Sequence, residues 1–146
     1  MKPIERILEA KGRELSVTAL GDTVLAATEA MCAARVGSLL VMDGDALRGI
    51  FSERDLLTRV VLARRDPSTT RVGDVMTTDV VCIAPDLSVR DAMGIMTERR
   101  VRHLPVVLDR RVIGLVSIGD LVRWTLEEST VEIDHLRGYV EGRYPG

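Results

Sequence analysis

The sequence predicts an α/β (α+β) fold: two copies of a β-α-β-β-α unit packed about a pseudo-twofold axis, with one helix added at each end. Three observations lead there. Short apolar runs of strand length alternate with stretches whose apolar residues recur at helical spacing. Residues match along the chain at a constant offset of 65 positions (24 to 89). One strand-to-helix joint also occurs twice, as GIFSERDL from Gly49 to Leu56 and as GLVSIGDL from Gly114 to Leu121.

Taken in order, residues 3–11 read as a short amphipathic helix. Pro3 suits a first helical position, Ile4, Ile7 and Leu8 share a face, and Gly12 ends it. Val17 to Leu20 is a strand, Gly21-Asp22-Thr23 is turn and cap chemistry, and a helix follows from Val24 to Arg35 with Val24, Ala27, Met31 and Ala34 inward. Leu39 to Met42 and Leu47 to Phe51 are strands joined by the Asp43-Gly44-Asp45 turn. A helix from Arg54 to Arg64 faces Leu56, Leu57, Val60 and Val61 inward, and Asp66 to Thr70 is a polar break. The second copy then runs strand Val80 to Ile83, turn Pro85-Asp86, helix Val89 to Arg99, strands Leu104 to Leu108 and Val112 to Val116, and a helix from Leu121. Last, Ser129 and Glu132 fit a capping box ahead of an apolar stripe of Ile133, Leu136 and Val140.

The 65-residue offset is the strongest of these signals. It aligns Ala27 with Ala92, Met31 with Met96, Arg35 with Arg100, Leu39 with Leu104, Val41 with Val106, Gly49 with Gly114, Ser52 with Ser117 and Asp55 with Asp120, without a gap. Each unit alone is too small to bury both faces of its sheet, so the copies are expected to pack together. The expected boundaries are 1–13 for the first helix, 14–66 and 75–126 for the repeats, 67–74 for the linker, and 127–146 for the last helix and tail.

Composition bounds the function. At 146 residues the chain can remove roughly 70% of its unfolded surface from water. Aromatic residues are only 3%, so the core is aliphatic and no stacking platform for single-stranded nucleic acid is available. A net charge of −2 gives no bulk attraction to a polyanion. Cys32 and Cys82 lack metal-ligand spacing and are expected as buried free thiols, which suits a reducing cytoplasm. No metal site is expected. The N-terminal MKPIERILEAKGRE carries charge from its second residue and lacks a long apolar core, which speaks against a secretory signal, and no run approaches a membrane span.

The joints themselves read first as caps. A Ser at the end of a strand accepts an unpaired amide of the following helix, and an Asp three residues later can return the bond. That the chain repeats this arrangement suggests oxygens facing a cleft as well.

Two copies of strand, Asp-bearing turn, helix, strand-turn-strand, Ser-x-x-Asp and helix resemble a tandem pair of CBS domains, named after cystathionine β-synthase. The segment MTTDVVCIAPDLSVRDAMGIMTERRVRHLPVV followed by RRVIGLVSIGDLV is similar to a well-formed second member, and the resemblance covers about residues 14–126. The first copy departs from it at Gly21, where the family often has Pro, at Ser38-Leu39-Leu40 in place of His103-Leu104-Pro105, and at Glu53-Arg54 inside Ser-x-x-Asp.

The resemblance implies a stand-alone, non-catalytic regulatory module. It would bind an adenine nucleotide (AMP, ADP, ATP or NAD) in clefts between the copies, pair as a homodimer and act through an effector protein. The Asp of Ser-x-x-Asp would accept the ribose hydroxyls; a carboxylate suits this because two acceptor oxygens can face two vicinal donors. Carried over residue by residue, one cleft uses Ser52, Arg54 and Asp55, lined by Val81, Val101, Arg102 and His103. The other uses Leu115, Ser117 and Asp120, with Val17, Thr18, Val36, Gly37 and Ser38. Arg54 and Arg102 suit the first cleft to phosphate, since guanidinium forks onto phosphate oxygens. The alternative is a protein-interaction module without a ligand. An enzyme is disfavoured because no Walker loop, zinc-like His/Cys cluster or Gly-x-Ser-x-Gly elbow is present.

Overall fold

The computed structural model describes residues 3–12 and 15–128. Helix α1 covers Pro3–Lys11 and strand β1 Val17–Ala19; helix α2 covers Val24–Ala34. Strands β2 (Ser38–Asp43) and β3 (Ala46–Ser52) form a hairpin that leads into α3, a single turn at Glu53–Asp55 continued by π-helical winding over Leu56–Val61. After α4 (Val72–Val75) come α5 (Val89–Arg99), β4 (His103–Leu108), β5 (Arg111–Ser117) and α6 (Ile118–Glu127). The sequence-predicted final helix, with Ile133, Leu136 and Val140, lies outside the described residues.

The first repeat carries a three-stranded sheet in the order β1-β2-β3, with β1 parallel and β3 antiparallel to β2. The second carries the β4-β5 hairpin. The two hairpins have the same register: Ser38 faces Ser52 as His103 faces Ser117, and each slips by one residue, at Val41/Met42 and at Val106/Val107. Turn chemistry matches the sequence reading. Gly44 takes φ 61, and Asp109 and Arg110 both take positive φ at the second hairpin's tip, the twist a two-residue turn requires.

Several expectations are corrected. The strand predicted at Val80 to Ile83 is reduced to one parallel bridge, Ile83 to Val106, because only Ile83 bonds across, to Pro105 O and from Val107 N. The predicted helix from Arg54 to Arg64 is π-wound, with Leu62 N bonding Leu57 O. Val60 is buried, but Leu57 and Val61 point out and are 59% and 57% exposed. One repeat covers only one side of this segment, so half of its wide apolar stripe stays in solvent. Cys32 and Cys82 are free, as expected, but exposed rather than buried. Each stands one position off a buried neighbour, Met31 or Ile83, and so faces outward. Ala34, at the end of α2, is exposed as well.

Two aliphatic cores result, and each repeat is covered by the segment that precedes the other. Ile4, Ile7 and Leu8 of α1 join Ile83, Ala92, Met96, Leu104, Val106, Val116 and Leu121 of the second repeat. Val72 and Val75 of α4, inside the stretch read as a linker, join Val24, Met31, Leu39, Val41, Phe51 and Val60 of the first. Removing an arm side chain such as Ile4, Leu8 or Val72 fully from water contributes roughly 1.5–3 kcal/mol, so these arms are structural and not accessory. Gly49 and Gly114 make the close approaches possible. A Cβ on Gly49 would stand 2.6 Å from Thr77 O, and one on Gly114 would collide with the Leu8 side chain.

Candidate functional site

Both Ser-x-x-Asp joints form reciprocal capping boxes. Ser52 is extended (φ −119, ψ 166); its Oγ accepts the Asp55 amide at 3.3 Å, and Asp55 Oδ2 accepts the Ser52 amide at 3.0 Å and its hydroxyl at 3.1 Å. In the second repeat Ser117 Oγ accepts the Asp120 amide at 3.1 Å and Asp120 Oδ2 accepts the Ser117 amide at 2.8 Å. The orphan amides of each helix start are thereby satisfied.

Each aspartate is also held by the other repeat's arm. Thr77, just past α4, donates its hydroxyl to Asp55 Oδ1 at 2.9 Å. Arg59 brings its Nε to 3.8 Å from the same oxygen while donating from Nη1 to Met76 O at 2.6 Å. Asp55 is 4% exposed. On the other side Lys11, the last residue of α1, donates from Nζ to Asp120 Oδ2 at 2.7 Å and to Leu115 O at 2.7 Å. Burial pushes the Asp120 carboxyl up, but the hydrogen bond and charge of Lys11 and the two bonds from Ser117 together hold it below its ordinary value.

The repeats meet at Gly37 and His103. A Cβ on Gly37 would lie 3.5 Å from the Glu53 carboxylate and 3.6 Å from His103 Cε1. The flanking backbone is symmetric, with Glu53 N donating to Gly37 O at 3.0 Å and Ile118 N to Arg102 O at 2.8 Å. Ser38 Oγ is buried here without a hydrogen-bond partner. Burial, followed by the charges of Lys11 and Arg102, lowers the His103 pKa against the opposing pull of Glu53 and Asp120, so its ring is neutral at pH 7. A groove of about 420 Å³ opens beside this seam, lined by Met31, Cys32, Arg35, Val36, Gly37 and Glu53 among others.

The remaining candidates are placed as follows. Arg54 and Arg102 are exposed; Val36, Val81, Val101 and Leu115 are half-buried. Val17 is exposed on β1, and the buried Thr18 spends its hydroxyl on Asp22 Oδ2 at 2.9 Å. Among the described residues no group of three His, Cys, Asp or Glu side chains is placed to hold a metal ion, and no helix is long and apolar enough to cross a membrane.

A family model described as "CBS domain" matches residues 72–127. The chain is 37% identical over 150 residues to the CBS domain-containing protein CBSX3, mitochondrial, of Arabidopsis thaliana, covering 97% of this chain and 73% of that protein. This chain belongs to the CBS-domain family. A solved structure of a CBS-domain protein of Burkholderia ambifaria, described as a candidate for signal transduction, superposes with a TM-score of 0.82 at 41% identity, covering 85% of this chain and 93% of that one. The crystal structure of the CBS domain protein NE2398 gives the same TM-score, 0.82, at 39% identity over 86% of this chain and 99% of that one. Its relatives are named as CBS-domain proteins, one of them as a candidate signal-transduction protein, and the chain shares their regulatory-domain class.

Reading the CBS motif alone missed Lys11, Thr77, Arg59 and Glu53. Arg59 and Glu53 sit within four residues of Asp55 and could have been found from helical spacing. Lys11 and Thr77 carry no such signal, since they reach their aspartates only through the exchanged arms.

Proposed function

We propose that this CBS pair is an adenine-nucleotide sensor, taking AMP, ADP, ATP or NAD at the seam between its repeats. The observation that carries this reading is Ser38 Oγ, a buried hydroxyl with no partner among the described residues, where Gly37 and His103 meet. A buried polar atom left unpaired costs about 1–3 kcal/mol, and a polar ligand at the seam would recover it. Arg54 and Arg102 are both exposed, which supports the phosphate end lying at the first cleft, with Val81 and Val101 beside it. Ribose bonds to Asp55 there would replace the Thr77 hydroxyl.

The copies shift on binding only to the extent that the ligand prefers one arrangement. We place the repeats at 14–66 and 75–126, joined through 67–74. The exposed apolar residues Leu57, Val61 and Leu62 support pairing of two copies, with output through an effector protein. The free thiols support a reducing compartment such as the cytoplasm.

A thermal-shift screen with AMP, ADP, ATP and NAD tests the reading. Ligand at 100 times its Kd stabilises the native state by about 2.7 kcal/mol and raises the midpoint accordingly. No shift with any of the four at millimolar concentration would leave the chain as a protein-interaction module.

A further inference from the structure

We propose that Lys11 is a built-in competitor for Asp120, so that the second cleft is latched shut by the N-terminal helix until a ligand displaces its ammonium group. The inference rests on the nucleotide reading above and concerns which cleft is open at rest. Lys11 Nζ lies 2.7 Å from Asp120 Oδ2, and its second bond, to Leu115 O at 2.7 Å, fixes it against the end of β5. The ammonium thus stands at the carboxylate that would accept ribose hydroxyls, and it does so from inside the chain. The pair is partly shielded, with side-chain exposures of 37% and 13%, so it is stronger than a fully solvated ion pair.

The two aspartates are not latched alike. Asp55 Oδ1 takes its hydrogen bond from a neutral hydroxyl, that of Thr77, which a ribose hydroxyl can replace one for one while the Arg59 guanidinium stays at 3.8 Å. At Asp120 the hydrogen-bond donor is itself the charge, so replacing Lys11 with a neutral sugar removes an ion pair as well as a hydrogen bond. The apparent affinity of the second cleft is therefore reduced to the fraction of time that Lys11 leaves it free. Release is also coupled to the arm. Lys11 closes α1, Gly12 follows it at φ 85, and Leu8 of the same helix is locked over Gly114. Freeing Lys11 loosens the end of α1 while Ile4, Ile7 and Leu8 keep its body in the second core.

The test titrates AMP and ATP calorimetrically into the wild-type chain, Lys11→Met and the double variant Lys11→Met/Asp120→Asn. Lys11→Gln, which keeps a donor for Leu115 O without the charge, is the control should Lys11→Met melt early. The latch predicts that either Lys11 variant binds one more equivalent, or binds at least about fivefold more tightly, and that Asp120→Asn removes the gain. Unchanged binding in well-folded Lys11 variants would overturn the latch and leave the nucleotide reading standing. Weaker binding would overturn it too, since Lys11 would then touch the ligand. Absence of binding to all three chains would overturn both.

Discussion

Arg35 and Arg100, one repeat apart, end their helices in the same left-handed conformation, φ 56 and ψ 43 in each. An L-residue pays for that conformation and glycine does not, which is why glycine is common just past a helix. Each cap amide bonds back into its helix, Arg35 to Cys32 O and Met31 O and Arg100 to Met96 O, so the geometry is maintained by the backbone and not by the side chain. Replacing either arginine by glycine is expected to raise stability by about 0.5–1 kcal/mol, read as a higher urea midpoint at unchanged slope.

The glycines under the exchanged arms behave oppositely. Gly49→Ala is expected to destabilise by about 1–3 kcal/mol, because the new methyl meets the Thr77 carbonyl, which is fixed backbone. Gly114→Ala meets the Leu8 side chain instead. Adding Leu8→Ala to it should give less than the sum of the two single losses in a double-mutant cycle. Strict additivity would mean that α1 does not press on β5.

Asp55 is a stability residue whatever else it does. Asp55→Ala strands the Thr77 hydroxyl and the Ser52 amide in a partly buried site, with an expected loss of about 2–4 kcal/mol in denaturant unfolding. Ser117→Ala removes one cap bond and is expected to lose about 1 kcal/mol.

The pH dependence follows from two depressed pKa values. Asp120 titrates below its ordinary 3.8 in the folded chain. The stability it contributes is present above that value and is lost as pH falls through the folded pKa. Acid unfolding of Asp120→Asn should therefore show a shallower loss below about pH 4 than wild type. His103 titrates below its ordinary 6.5, so the native state binds fewer protons than the unfolded chain. Its contribution is complete above pH 6.5 and declines as pH falls toward the folded value. A His103→Gln chain should lose less stability than wild type between about pH 7 and 5. An imidazole resonance of His103 titrating at or above 6.5 by NMR would contradict this.

Much of the fold was legible because its determinants are local or periodic. The bounds of α1 and α5, the hairpin turns and both Ser-x-x-Asp caps rest on spacings of a few residues, and the 65-residue repeat exposes itself by self-comparison. The candidate site was legible only as two caps. Composition and periodicity could not tell that Val80 to Ile83 would contribute a single bridge, that Leu57 and Val61 would face solvent, or that Cys32 and Cys82 would lie on outer faces. Those outcomes depend on which neighbour covers each face.

The sequence by itself determined the repeat, its caps and its family, since each is written in residues a few positions apart or in a copy of them. Only the tertiary structure decided that α1 would cover the second repeat and α4 the first, bringing Lys11 to Asp120 across 109 positions and Thr77 to Asp55 across 22. The reason is physical: an aliphatic face specifies that it must be buried, not by which segment, and an exchanged arm brings its polar end residue with it.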